Sequence, residues 1–173
     1  SRIQRCCTIM GRKESDEMSS AQIFYPCMQC ADVFYLKADI CQLGMDQRKV
    51  NMLAREYCDM TRPKIKHKPI ILSHHMLLGL KEGQEKMSKS DPASAIFMEA
   101  PAADVNRKIK KAFCPPQVVE GNPVMDYIKH IIFGYHGRIT VTPKGAEPIE
   151  YTDYQQLEQD YLAGTLHPGD IKP

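Results

Sequence analysis

The chain has 173 residues, a formal net charge of +2 and 25% charged residues. Its 43% hydrophobic content is that of an ordinary soluble globular protein, and no apolar run reaches the roughly 20 residues that cross a bilayer. A membrane-spanning helix is thereby excluded, and bulk charge by itself implies no partner.

In chain order, residues 1–20 begin with a mixed helical stretch (Ile3, Cys6, Cys7, Met10) and turn polar over 11–17, as a loop does. Ser19-Ser20 can cap a following helix. No signal-peptide pattern opens the chain, and Ser1-Arg2-Ile3 reads as a cut end. A helix is predicted over 25–37, starting after Tyr25 with Pro26 in its first turn. Residues 38–43 form a short apolar run stopped by Gly44, hence a strand. Asp46 begins a helix whose Val50, Leu53, Ala54 and Tyr57 recur at i, i+3, i+4 and i+7, a one-faced pattern. A basic loop over 61–68 leads to a second strand over 69–73. Strand, helix, strand at this spacing is a βαβ unit, with parallel pairing and an α/β core.

Residues 79–91 read as loop. Asp104 is placed to cap a helix running to about Phe113 and halted by Pro115-Pro116. Pro123 opens a helix with Val124, Ile128, Ile131 and Ile132 on one face, ended by Gly134 and Gly137. Residues 139–142 are extended. Asp153 caps a last helix carrying Tyr154, Leu157 and Tyr161, closed by Gly164. The tail 167–173 reads as the approach to another helix. The pattern changes near residue 100, from α/β to mainly helical.

Three constellations carry candidate chemistry. Tyr25, Gln29 and Asp32 stand at i, i+4 and i+7 and project from one side of the predicted helix. A phenol, an amide and a carboxylate on an otherwise apolar helix suit the ammonium and hydroxyl of a small zwitterion, because buried Gln and Asp are costly without partners. A polar face partly open to water is the plain alternative and, for the trio alone, the commoner one. Gly44-Met45-Asp46-Gln47 lies at a strand's carboxyl end and a helix's amino end, the edge at which open parallel sheets bind ligands. Helix N–H groups meet anions there, and Gly44 admits a close backbone approach. Asp46 either bonds a ribose hydroxyl or simply caps the helix. Lys86-Met87-Ser88-Lys89-Ser90 sets two ammonium groups on a polar loop, a clamp that tightens as charge builds on a departing pyrophosphate.

Two basic clusters (Arg62, Lys64, Lys66, His67 and Lys68; Arg107, Lys108, Lys110 and Lys111) are nucleic-acid surfaces or, more ordinarily, solvated faces. The seven cysteines, an odd count with Cys6 and Cys7 adjacent, argue against a secreted disulfide framework and predict a cytoplasmic chain with reduced thiols. Cys27 and Cys30 spell Cys-x-x-Cys, but no second ligand pair at matching spacing completes a zinc site, so buried inert thiols are expected. His74-His75 reads as structural, and no metal site is assigned.

Read together and in order, these stretches resemble the tyrosyl-tRNA synthetases of the archaeal and eukaryotic cytosolic type, which are class I aminoacyl-tRNA synthetases. The resemblance runs from Tyr25-Pro26-Cys27-Met28-Gln29-Cys30-Ala31-Asp32 through Gly44-Met45-Asp46-Gln47-Arg48-Lys49. It continues through His74-His75-Met76-Leu77-Leu78-Gly79-Leu80, the lysine loop (the KMSKS motif), Lys110-Lys111-Ala112-Phe113-Cys114 and Leu166-His167-Pro168-Gly169-Asp170. Roughly residues 20–173 are covered, and several motifs in fixed order are more specific than any one. Tryptophanyl enzymes share the lysine loop, but the trio followed by Asp46-Gln47-Arg48 looks like the tyrosine type. The His-x-Gly-His motif that usually accompanies the lysine loop is absent.

The resemblance implies roles. Tyr25, Gln29 and Gln47 would hold the α-ammonium and carboxylate end of L-tyrosine, and Asp32 would accept a hydrogen bond from its phenol. Gly44 and Asp46 would face the ATP ribose, and Met76 and Leu77 would line the adenine. Lys86, Met87, Ser88 and Lys89 would bind ATP, with Lys86 and Lys89 stabilising magnesium-bound pyrophosphate. His167 and Asp170 would read the first anticodon base of tRNA(Tyr), although 145–148 offers no aromatic to stack on it. The implied architecture is the carboxyl-terminal half of a Rossmann-like catalytic domain (1–103) followed by a mainly α-helical anticodon-binding domain (104–173), in a protein that acts as a homodimer. A tRNA-binding or interaction fragment without catalysis of its own is the alternative.

Overall fold

The computed structural model describes residues 2–10, 13 and 15–172, with the side chains of Cys7 and Thr8 outside the description. The readings placed on Ser1, Pro173 and part of the polar stretch 11–17 therefore lie outside the described residues. The chain forms two compact units, dividing after Met76.

The first unit opens with a 3-10 helix, Gln4–Met10, followed by helix α1, Ser20–Tyr35. The start of α1 is earlier than expected. Ser19 accepts from Gln22 N, and the Gln22 side chain accepts from Ser19 N at 3.0 Å. This capping box satisfies two of the donors that a helix start leaves open. Pro26 therefore lies inside the helix, on its buried side beside Cys30, and not in the first turn. Strand β1, Ile40–Gly44, runs through a 3-10 turn, Met45–Gln47, into helix α2, Arg48–Met60, and returns as strand β2, Ile70–His74. The strands pair in parallel, from Ile40 opposite Ile70 to Gly44 opposite His74. The βαβ expectation holds because a parallel neighbour needs a crossover of this length.

The buried face of α2 is rotated from the one expected. Val50, Asn51, Ala54 and Cys58 are buried, whereas Tyr57 is 45% exposed. Small Ala54 and Cys58 let the helix approach its neighbours closely, and Tyr57 instead meets the Phe34 ring edge-on at 5.4 Å. Cys6, Ile9, Cys30, Val50 and Ala54 form the unit's core. On the sheet, Cys41 is buried while Ile71 and Ser73 are half-buried, but Ile40, Gln42, Ile70 and Leu72 on the other face are exposed.

In the second unit, residues 77–101 are irregular apart from a 3-10 turn, Pro92–Ser94. Helix α3, Ala102–Lys111, is capped by Pro101 and not by Asp104. Asp104 lies in the first turn, where its charge suits the helix dipole, and pairs with Arg107 and Lys108. Helix α4, Pro123–Tyr127, passes through a π turn, Ile128–Ile132, into α5, Phe133–His136. The π turn shifts the face, which is why Val124 and Ile128 are buried while Ile131 is 43% exposed. Gly134 lies within α5; Gly137, at φ 69°, ends it.

Strand β3, Ile139–Val141, pairs antiparallel with β4, Ile149–Tyr151, a strand too short for the sequence pattern to reveal. Asp153 caps α6, Tyr154–Ala163, by accepting from Gln155 N at 3.0 Å, and α7 spans Pro168–Ile171. Tyr151, Leu157, Tyr161 and Met125 are fully buried in the core. Buried hydroxyls and amides find partners, as they must. Tyr161 donates to Pro115 O at 2.7 Å, and Asn122 accepts from Val124 N at 3.1 Å while donating to Val118 O at 2.9 Å. Burial, reinforced by its bond to Asp160, pushes the Tyr151 phenol up to about 12.

Two side chains close over Gly44. A Cβ there would collide with Met76 Sδ and would meet Asp46 Oδ1 at 2.8 Å. Gly44→Ala should destabilise the chain in urea by about 1–3 kcal/mol, the usual cost of overpacking. The double variant Gly44→Ala/Met76→Ala should cost less than the sum of the two single changes, and strict additivity would remove Met76 as the source of the strain.

Candidate functional site

The candidate residues divide between the two units. In the first unit, α1 sets Tyr25, Gln29 and Asp32 on one side, next to the buried stripe of Pro26 and Cys30. Gln29 is half-buried; Tyr25 is 50% exposed and Asp32 is exposed. Gln29 Nε2 donates to Gln47 Oε1 at 2.6 Å. This bond joins the trio's helix to the turn after β1, a contact that residue spacing could not predict because the two amides are 18 positions apart. It uses one donor of Gln29 and one acceptor of Gln47. Gln29 keeps an oxygen that suits an ammonium, and Gln47 keeps an amide N–H pair that suits a carboxylate.

The turn itself has the features of an anion edge. Gly44 is buried beneath Met76, and half-buried Asp46 follows it in the 3-10 turn. Gln47, the residue before α2, makes no side-chain cap, so the first N–H groups of α2 are not taken by it. His74 ends β2 opposite Gly44, with Nδ1 3.0 Å from the His75 carbonyl oxygen, in keeping with a structural part.

Cys27 and Cys30 are both free thiols. Burial, then the neighbouring Cys27, pushes Cys30 up to about 11, so it stays a protonated thiol at neutral pH. The basic loop of the first unit is drawn into local contacts. Lys68 pairs with Asp59 at 2.7 Å and holds that carboxyl below the usual range, while Arg62 donates to the Asp59 and Thr61 carbonyls.

In the second unit, the lysine loop divides its side chains by polarity. Met87 packs half-buried against the core, and Lys86 and Lys89 are exposed. Ser88 and Ser90 hydroxyls lie 2.7 Å apart, and Ser90 N donates to Ser88 Oγ at 3.3 Å. Leu77 packs on the same core. The next residue is pinned from α4: Leu78 N donates to Asp126 Oδ2 at 3.1 Å, and Tyr127 Oη donates to Leu78 O at 2.6 Å. Sequence reading missed both anchors, since nothing in the order of residues distinguishes Asp126 and Tyr127 from an ordinary helix start.

Helix α3 sorts its cations. Lys108 is mostly buried, donates to Ala95 O at 2.8 Å and lies over the Phe97 ring at 5.2 Å, so it is a structural part. Arg107, Lys108 and Lys111 line, with Lys81, an open cavity of about 470 Å3. His167 and Asp170 form the capping box of α7. His167 Nδ1 accepts from Gly169 N at 3.1 Å, and Asp170 accepts from His167 N at 2.8 Å and from Lys144 N at 3.2 Å. Among the described residues, no helix is long and apolar enough to cross a membrane.

Comparison with known proteins gives this arrangement its context. The family model for class I tRNA synthetases (W and Y) matches residues 1–173. The cytoplasmic tyrosine–tRNA ligase 1 of Arabidopsis thaliana is 63% identical over 173 residues, covering 99% of this chain and 44% of that protein. The crystal structure of tyrosyl-tRNA synthetase complexed with L-tyrosine from Pyrococcus horikoshii is 38% identical at a TM-score of 0.81, covering 99% of this chain and 53% of that one. The Leishmania major tyrosyl-tRNA synthetase in complex with tyrosinol is 50% identical at a TM-score of 0.73, covering 99% of this chain and 33% of that one. The chain thus spans about half or less of the length of these relatives. Its α/β fold with a small parallel sheet, its ordered motifs and its match along the whole length make it a member of the class I tRNA synthetase family of the tryptophan and tyrosine type.

Proposed function

We propose that this chain supplies the lysine-loop part of a tyrosine–tRNA ligase together with part of its anticodon-binding region. Residues 1–103 would contribute to the catalytic domain and 104–173 to the helical domain, a functional division separate from the break in packing after Met76. The observation that carries the reading is the Gln29–Gln47 hydrogen bond. It ties the polar trio to the strand edge with the donor and acceptor left over that an amino acid's two charged ends require.

In this reading L-tyrosine sits with its ammonium toward Tyr25 and Gln29, its carboxylate toward Gln47 and its phenol toward Asp32. ATP, taken as its magnesium complex, lies with its ribose at Gly44 and Asp46 and its adenine along Met76 and Leu77. A carboxylate oxygen of tyrosine attacks the α-phosphorus in line. The bond from that phosphorus to the bridging oxygen breaks, and pyrophosphate leaves. Lys86 and Lys89, with Met87 and Ser88 shaping the loop between them, offset the growing negative charge. The terminal ribose hydroxyl of tRNA(Tyr) then attacks the acyl carbon and releases AMP. No protein nucleophile is needed; positioning and charge do the work. The basic face of α3 would meet the tRNA backbone, and a cytoplasmic homodimer is the expected setting.

Tyrosine-dependent pyrophosphate exchange in the ligase of relatives' length carrying this segment is the direct test, and its absence would return the chain to a tRNA-binding or interaction role. Within that assay, Lys86→Ala should lower kcat on the order of 100-fold while leaving tyrosine affinity within twofold, since a transition-state cation is lost. An unchanged exchange rate would remove Lys86 from the chemistry.

Asp32→Ala should erode the preference for tyrosine over phenylalanine, measured as the ratio of kcat/KM values. A site built to bond a substrate hydroxyl rejects the analogue lacking it, for which tyrosyl enzymes are the known instance. A ratio equal to that of the unsubstituted protein would reassign Asp32 to the solvated face.

Asp170→Asn retains one of the two carboxylate acceptors of the α7 cap. It should slow tRNA charging by about tenfold, the loss of one good base contact, with adenylate formation intact. Normal charging kinetics would leave Asp170 with its capping role alone.

A further inference from the structure

We propose that Lys81, Gln84 and Asp91 form a clasp at the neck of the lysine loop, and that Asp91 and Lys81 act as positioning residues for Lys86 and Lys89. The clasp is a matter of this chain's own geometry; its catalytic consequence rests on the ligase reading above.

The neck is tied on both sides. Lys81 Nζ lies 2.6 Å from Asp91 Oδ2, ten residues along the chain. Gln84 Nε2 approaches the same oxygen at 3.5 Å. Gln84 lies directly over Gly79, where any Cβ would sit 2.7 Å from Gln84 Cβ, and its carbonyl accepts from Gly79 N at 3.0 Å. On the other side, fully buried Ser94 donates from its hydroxyl to Asp91 O at 2.7 Å, and its carbonyl accepts from Leu80 N at 2.9 Å. Leu80 is itself in the core.

An isolated, solvent-exposed ion pair contributes little, because ordering two long side chains costs most of the Coulomb gain. That objection is weakened at Asp91. Ser94 already holds its backbone, so less of the neck remains to be ordered when Lys81 meets the carboxylate. The bond from Lys81 keeps the Asp91 carboxyl below its ordinary range, consistent with a carboxylate held in place. Between the two arms of the neck, Met87 is seated on the core while Lys86 and Lys89 project outward. The arms therefore set the direction from which the two ammonium groups are offered.

Two measurements test this. Hydrogen exchange on the full chain reads the clasp without any catalysis. Asp91→Asn and Lys81→Met should each speed exchange of the 84–90 amides by about fivefold, equivalent to about 1 kcal/mol, with α6 unaffected. Pyrophosphate exchange in the ligase of relatives' length reads the positioning. The same variants should lower kcat by a similar factor at unchanged KM for tyrosine, and the reversed pair Lys81→Asp/Asp91→Lys should restore kcat to within twofold. A merely structural role would loosen the loop and leave kcat unmoved. Unchanged loop exchange in both variants overturns the clasp. A loosened loop with kcat intact, or a reversed pair that fails to restore it, overturns the positioning role. If the unsubstituted ligase shows no tyrosine-dependent exchange, the ligase reading and the positioning role fail together, and the amide measurement still decides the clasp.

Discussion

The first unit depends on the parallel pairing of β1 with β2. Parallel neighbours cannot be joined by a tight turn, so the chain must leave the sheet, cross as α2 and return. That requirement brings three things to one edge: the last residue of β1, the last residue of β2 and the first turn of α2. Gly44 and His74 are opposite each other as a direct result. Gly44 has no side chain, and the Met76 side chain occupies the space that one would need. Gln47 follows within the same turn, and α1 reaches it through Gln29. The polar groups of this unit are therefore gathered by backbone topology, with one hydrogen bond fixing α1 to the turn.

The second unit answers a different constraint. Its long irregular segment buries backbone at Leu80, Ser94 and Ala95, and buried peptide groups need partners that a helix or sheet would otherwise supply. The partners come from elsewhere in the unit. Phe113 N donates to Leu80 O at 2.8 Å, Lys108 donates to Ala95 O, and Asp126 and Tyr127 hold Leu78 from both sides. A loop satisfied in this way is ordered without regular structure. The lysines it carries are presented from a built surface instead of a free strand.

Much of this was legible in the sequence, and the misses have physical causes. The βαβ unit followed from strand lengths and the period of α2, and the caps at Ser19 and Asp153 followed from residue type. Pro26 misled the reading of α1, because proline is at home in a first turn and the capping box six residues earlier outweighed that signal. Ile131 was expected inside because a period of 3.6 was carried through a π turn that no residue type announces. The candidate site is proposed from residue types and order, Asp32, Lys86 and Lys89 included. Its tertiary bonds were not legible there, since Gln29 with Gln47 and Tyr127 with Leu78 join positions that only the fold brings together. His167 and Asp170 show the converse: a motif recognised for its chemistry also holds its own helix start.

Met87 anchors the lysine loop to the core of its unit. Its side chain is seated in the same apolar cluster as Leu77, while Lys86 and Lys89 of the motif are exposed. The loop is thus held at Met87 as well as at its neck, where Lys81 meets Asp91. Oxidation of that sulfur to the polar sulfoxide would unseat Met87 from the core without touching either lysine, which makes one methionine a point of vulnerability for the way the loop is held.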